Sequence, residues 1–290
     1  MEIVASLFSS DYSLRRDDYM INYLEKGVSV KKTTEIKGTK TIKSVEKAFH
    51  VIEYLAVSGE SEGVTEISNA MDTGVSATYH LLNTLRELGV ISQNPVTKKY
   101  KLGLKLWKIG ILAYQQNELA TVLLPYLRRL REMTGETANL TVLDGDKIVY
   151  IAQSESEHLL KMFTRIGATA PLHCTGAGKI LLAYLPKNKQ NQLLDTIELK
   201  RYTSKTLTTR KGLNKELEQI RAQGYGRDDE EREQGVRCIG APVFGPDNQI
   251  ICSISISGPK VRFSEENQIK WIKAVKEIAD EATDFLRSLD

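Results

Sequence analysis

The sequence predicts an α+β protein in two parts, on three observations. Apolar residues recur at helical spacing in three short segments before residue 90, and two β-prone pieces around a turn follow directly. Beyond residue 135, alternating β runs are interleaved with helical segments, as in an α+β sensor-like domain. At 290 residues the chain is long enough for two cores.

Residues 1–40 mix charges with scattered aromatics (Phe8, Tyr12, Tyr19, Tyr23) and end in KKTTEIKGTK, so they read as an extension and linker. Over 42–55, Val45, Ala48, Phe49, Ile52 and Leu55 fall on one helical face, which Gly59 and Gly63 interrupt. Thr65 is the expected N-cap of a second helix ending near Met71. Ser76 is that of a third helix running to about Leu88, after a DTG turn and before the stop at Gly89. Short strands over 90–92 and 100–102 then flank a turn with Asn94, Pro95, Lys98 and Lys99.

Helices followed by a hairpin in this order make a winged helix-turn-helix over 41–104. The third helix of such a unit enters the major groove of double-stranded DNA, and the hairpin follows the backbone. Local charge agrees, because 83–108 holds Arg86, Lys98, Lys99, Lys101, Lys105 and Lys108 against Glu87, a net +5 in 26 residues. Ser76, Thr78, Tyr79, His80 and Asn83 offer short or planar hydrogen-bonding groups for bases and phosphates. Thr65, Arg86, Lys98, Lys99 and Lys101 complete the expected DNA-binding set. A polar helix alone is as easily a solvated face; the lysine-bearing hairpin tips the reading toward DNA.

A helical stretch from about Leu104, broken near Asn117, reads as a linker helix over 105–117 leading into a second domain over 118–290. Trp107, Ile111 and Tyr114 give the linker an apolar face suited to a second copy of the chain. Readers of this size bind as dimers on two half-sites, which implies a palindromic operator. The second domain opens with a hairpin over 138–154 turned at Asp144-Gly145, and a further strand is expected over 159–164. A loop into a helix follows over 171–186, then a helix over 213–222. Strands over 225–228, 236–244 and 250–257 and a final helix over 264–289 complete the domain.

The segments EREQGVRCIGAPVFGPDNQIICSISISGP, PLHCTGAGKILLAYLP and TIKSVEKAFHVIEYLA together resemble the IclR family of bacterial transcriptional regulators, over nearly all of the chain after residue 40. The resemblance implies a winged-helix reader joined to a GAF-like effector-binding domain, acting as a homodimer or a dimer of dimers, more often a repressor. It implies an effector pocket at Leu159, Met162, Gly176, Ala177, Asp228, Val236, Cys238, Ser255 and Ser257, and a small organic acid as the ligand. Backbone N–H groups at a helix start attract a carboxylate, which gives Gly176 and Ala177 a physical rationale. Where the family commonly carries arginine in the recognition helix, this chain has His80, which has no permanent charge.

Other chemistry is weaker. TGAGK lacks the earlier glycine of a phosphate loop and is followed by Ile180 rather than Ser or Thr. Adjacent His173 and Cys174 lack a third ligand at a recognised spacing, and Cys238 reads as a packed thiol rather than a redox sensor. In DDEERE only Asp228 carries weight as a ligand contact, since such runs are usually solvated. Three widely spaced cysteines suit neither a disulfide framework nor zinc, so no metal or cofactor is expected. Ordinary composition, 41% hydrophobic and 27% charged, and the lack of a long apolar run or basic leader predict a cytoplasmic protein without a membrane partner. The expectation is a ligand-responsive regulator and not an enzyme. The alternative is a sensor, or an enzyme acting on an organic acid, without specific DNA binding.

Overall fold

The computed structural model describes residues 42–116, 118–162 and 164–289, so the expected extension over 1–40 lies outside the described residues. The chain divides into two compact units that meet between Gln116 and Asn117.

The first unit runs α1 (Lys43–Ser58), α2 (Val64–Ala70), α3 (Val75–Glu87), β1 (Ile91–Gln93), β2 (Tyr100–Leu102) and α4 (Leu104–Gln115). Val51, Leu55, Ile67, Leu82, Leu85, Ile91 and Tyr100 form its core, each contributed by the apolar stripe of its element. β1 and β2 pair antiparallel, and Tyr100 also exchanges two backbone hydrogen bonds with Glu62, at 2.7 and 2.8 Å. The stretch between α1 and α2 is thereby bridged to the wing at a single residue, a pairing with no sequence signal. Both expected caps are corrected. The N-caps of α2 and α3 lie two residues earlier, at extended Gly63 and Gly74, so Thr65 and Ser76 sit at the second helical position without capping.

The second unit comprises α5 (Glu118–Thr134), β3 (Thr137–Asp144), β4 (Lys147–Ser154), β5 (Thr169–Pro171), α6 (Gly176–Tyr184), α7 (Lys187–Thr196), α8 (Arg210–Gln223), β6 (Gly226–Asp229), β7 (Val236–Phe244), β8 (Ile250–Pro259) and α9 (Glu265–Arg287). Its six strands form one antiparallel sheet in the order β5-β4-β3-β8-β7-β6. The strand expected over 159–164 is not formed by the described residues there. One of its carbonyls meets a side chain instead of a neighbouring strand: Arg262 Nη1 donates to Leu160 O at 2.9 Å, while the side chain of Lys161 reaches back to Ser156 O. The edge position beside β4 is taken by β5. The mostly polar α7 has no counterpart among the expected elements.

The two faces of the sheet differ. Ala138, Leu140, Ile239, Ala241, Val243, Ile254 and Ile256 pack with Leu123, Leu127 and Leu130 of α5 and Trp271, Val275 and Ile278 of α9. The alternate residues are small or polar, and α6 lies over them. Gly226 and Gly240 are cross-strand partners there, and Ile180 of α6 sits on both. A methyl group added at Gly240 would stand 2.9 Å from Ser255 Cβ, 3.0 Å from Ile180 Cδ1 and 3.1 Å from Ile254 O. Gly240→Ala is therefore expected to cost about 1–3 kcal/mol in urea unfolding, the usual range for overpacking. Gly110→Ala, on α4 with nothing within 4 Å of the new methyl, is expected to leave stability unchanged or raise it by up to about 1 kcal/mol.

Candidate functional sites

In the first unit, α3 has one inward and one outward side. Leu82 and Leu85 are buried, and so is Thr78, at 2% exposure, with its hydroxyl 2.7 Å from that of Thr73. Thr78 is thereby corrected from base reader to core residue, because it shares the helical face of Leu82 and Leu85. Ser76, Tyr79 and His80 are exposed, Asn83 is half-buried, and Thr65 is exposed on α2. The Tyr79 and His80 rings meet edge to face at 6.2 Å. Arg86 donates to Gln93 Oε1 at 3.1 Å and pairs with Glu87 at 3.1 Å, which ties α3 to β1.

The wing tip is organised by Asn94. Its Oδ1 accepts from the N–H groups of Val96 and Thr97 at 2.8 and 3.0 Å, and its carbonyl accepts from Lys98 N at 2.9 Å. Lys98 takes a left-handed backbone at φ +56°, and Lys98, Lys99 and Lys101 all extend into solvent.

In the second unit the polar side of the sheet carries most of the expected effector residues. The register aligns Thr137, Ser257, Cys238 and Asp228 in one row and Asn139, Ser255, Gly240 and Gly226 in the next. Ser255, Ser257 and Asp228 are at most 4% exposed. Asn139 Nδ2 donates to Ser257 Oγ at 3.0 Å, and Thr164 Oγ1 donates to Asn139 Oδ1 at 2.9 Å. α6 starts against this side: Thr175 Oγ1 caps Gly178 N, and a methyl at Gly176 would lie 3.4 Å from Asp228 N and 3.7 Å from Cys238 Cβ. Gly176, Ala177, Asp228, Cys238, Ser255 and Ser257 thus belong to one neighbourhood. Val236 begins β7 at its margin, half-buried. Met162 is half-buried. Leu159 is corrected, because its side chain is fully exposed and walls nothing.

Charge in this neighbourhood is dense. Lys179, wholly buried, pairs with Glu216 at 3.0 Å and with Glu231 at 2.5 Å, so the lysine of TGAGK is occupied by carboxylates rather than open to a phosphate. Asp228 Oδ1 accepts the N–H of Glu231 at 2.7 Å and of Arg232 at 3.4 Å. Burial pushes the Asp228 carboxyl up to about 7, with the Glu231 charge adding to the rise and those hydrogen bonds and Lys179 opposing it. Burial also raises the Cys238 thiol, and raises Cys174 to about 12, which disfavours the thiolate a reactive cysteine needs. His173 Nε2 donates to Lys200 O at 2.9 Å, and burial lowers its pKa. Among the described residues no three His, Cys, Asp or Glu side chains could hold a metal together. A cavity of about 330 Å³ wraps the edge strand β6, bounded by Asp228, Glu231, Arg237 and Cys238 among others. It shares Asp228 and Cys238 with the expected effector set, but neither the α6 glycine nor the β8 serines.

Sequence reasoning missed the partners Glu216 and Glu231 of Lys179, the Asn139 link to Ser257, and Tyr150. The Tyr150 phenol lies within electrostatic reach of Cys238 and Asp228, and burial raises its pKa.

Comparison with known proteins decides the family. The model of the IclR helix-turn-helix domain matches residues 44–95, and that of the bacterial transcriptional regulator IclR C-terminal domain matches residues 112–283. The chain belongs to the IclR family. The HTH-type transcriptional regulator KdgR of Escherichia coli is 39% identical over 232 residues, which cover 80% of this chain and 88% of that protein. The HTH-type transcriptional repressor AllR of Salmonella typhimurium is 31% identical over 85% of this chain and 91% of its own. The crystal structure of Thermotoga maritima IclR aligns with a TM-score of 0.68 at 31% identity, covering 85% of this chain and all of that one. This IclR protein is a DNA-binding transcriptional regulator, not an enzyme. Among the described residues no helix is long and apolar enough to cross a membrane.

The raised Asp228 carboxyl gives a signed pH dependence. The unfolded chain loses this proton near pH 4 and the folded protein near 7, so stability falls as pH rises through that window and levels off above it. Asp228→Asn is therefore expected to raise Tm by at least about 3 °C at pH 8 and to match the wild type at pH 4. Equal Tm differences at both pH values would show that the buried carboxyl is not the cause.

Proposed function

We propose that the protein represses transcription by binding a palindromic operator as a homodimer, and that a small organic acid bound in its second unit changes its DNA affinity. The observation that carries the DNA half is the pairing of an outward α3 face, Ser76, Tyr79, His80 and half-buried Asn83, with the exposed lysines of the wing. Thr65 at the start of α2 adds a phosphate contact. Arg86 acts by holding α3 to the wing, which orients the two reading elements. Repression follows the sense of AllR among the relatives.

Dimerisation is supported by α4, where Leu104, Trp107, Ile109 and Leu112 are each more than half exposed and Ile111 is 39% exposed. So much apolar surface on one helix marks an interaction site, and a second copy is the partner that two half-sites require. The effector half is supported by the α6 N-terminus beside a buried row of hydroxyls. Amides of Gly176 and Ala177 suit a carboxylate, while Ser255, Ser257 and Asp228 suit the ligand's remaining polar groups, with Met162, Val236 and Cys238 at the edge. A ligand shifts DNA affinity only as far as it prefers one conformation of the dimer over another.

The test is a footprint of the protein on DNA upstream of its own gene, at two salt concentrations, with and without a panel of small carboxylic acids. A protected palindrome whose occupancy one acid reduces is the expected result. Lys98→Gln with Lys99→Gln is expected to flatten the log-log salt dependence by about one unit for each phosphate that the wing no longer neutralises, and an unchanged slope would remove the wing from the interface. Ser255→Ala with Ser257→Ala is expected to weaken the response to the acid while leaving ligand-free DNA binding intact, measured by titrating the acid into the protein–DNA complex.

A further inference from the structure

Four basic residues around the 228–237 loop are committed to carboxylates, while Arg227 lies over the Tyr225 ring at 5.7 Å. Lys179 faces Glu216 and Glu231, Lys205 and Lys260 hold Glu230, and Arg237 holds Asp229. Arg232 is different. Among the described residues no carboxylate pairs with its guanidinium, which lies 4.0 Å from the centre of the Tyr202 ring.

Its backbone, in contrast, is held from several sides. Asp228 Oδ1 accepts the N–H of Glu231 and of Arg232, Thr203 Oγ1 donates to Glu230 O at 2.7 Å, and Thr206 Oγ1 donates to Glu231 O at 2.6 Å. The Glu230 carboxylate adds the N–H of Gly235 and the two lysines. A fixed loop thus carries a long, uncommitted cation. The Tyr202 ring on which the guanidinium rests has its centre 6.1 Å from that of His173, which sets the cation near His173 and Cys174, just ahead of α6. These flank the end of α6 where the Gly176 and Ala177 amides begin.

We propose that Arg232 is the counter-charge of the effector site, exchanging its stack on Tyr202 for a paired hydrogen bond to the carboxylate of the bound acid. The proposal rests on the organic-acid reading of this site. Electrostatics require such a group. Glu216 and Glu231 already outnumber Lys179, and Asp228 adds negative charge once it ionises, so an entering anion meets repulsion that the dipole of a nine-residue helix must otherwise offset alone. Guanidinium matches a carboxylate with two parallel N–H donors, and an exposed cation–π stack is weak enough to be given up for that pair. Lys200, whose Nζ is 5.9 Å from the same ring, is the rival cation.

The experiment titrates the full-length protein by calorimetry with pyruvate and with benzoate, and with pyruvamide and benzamide as uncharged counterparts, in the wild type, Arg232→Gln, Arg232→Lys and Lys200→Gln. For whichever acid binds the wild type, Arg232→Gln is expected to raise Kd about 10- to 100-fold, the size of a charge-assisted hydrogen bond. Arg232→Lys should restore part of the loss, and Lys200→Gln should keep the wild-type Kd. The amides should show no difference between wild type and Arg232→Gln, which separates lost charge from a disturbed loop; an unchanged Tm of the ligand-free variant checks the same point. Acid binding undiminished in Arg232→Gln, or lost in Lys200→Gln instead, overturns the role of Arg232 alone. If neither acid binds the wild type, the organic-acid reading and the proposal resting on it both fall.

Discussion

Strict alternation of side chains along β7 and β8 governs the second unit. Even-numbered Cys252, Ile254 and Ile256 of β8 turn into the apolar core, while Ser253, Ser255 and Ser257 turn to the other side. A slip of one residue would exchange these sets and put hydroxyls against α9. The same alternation decides which helix belongs where. The long amphipathic α9, with Trp271, Val275 and Ile278, can cover only the apolar side, and α6, whose Gly176 and Ala177 permit close approach, suits the other. The register shifts at Leu140/Thr141 and Val243/Phe244 fall outside the rows that carry Asp228, Ser255 and Ser257.

In the first unit, Tyr100 has the corresponding position. Fully buried, it is paired on one side with β1 and on the other with Glu62, so one residue joins the wing to the chain between α1 and α2. Together with the Arg86–Gln93 bond, this ties the wing to the reading helix. The two surfaces proposed to meet one DNA duplex are thus fastened to each other.

Element order is largely legible in the sequence, because glycine stops, the Asp144-Gly145 turn and helical periodicity are local signals. Errors arise where a local signal has a competitor. Thr65 and Ser76 are good caps, but extended glycines just ahead of each helix take that place. Thr78 is polar and lies among polar neighbours, yet Thr73 satisfies its hydroxyl and lets it turn inward. The candidate effector site is legible only through family resemblance. Alternation in SISIS (253–257) reads as a strand with one wet face, and nothing local says that α6 covers it. Lys179 misleads in the same way, since its burial depends on carboxylates 37 and 52 positions away in the chain.

The left-handed backbone of Lys98 has a consequence for how the wing can change over time. A non-glycine residue in that conformation carries strain on the order of 1 kcal/mol, and glycine or asparagine would relieve it. Given the proposed role of the wing, the tip is a position where a more robust fold and grip on a polyanion pull in opposite directions. Enrichment for thermostability alone would drive this site toward glycine and discard its charge. A basic residue here costs folding energy, which the proposed hold on phosphates would offset.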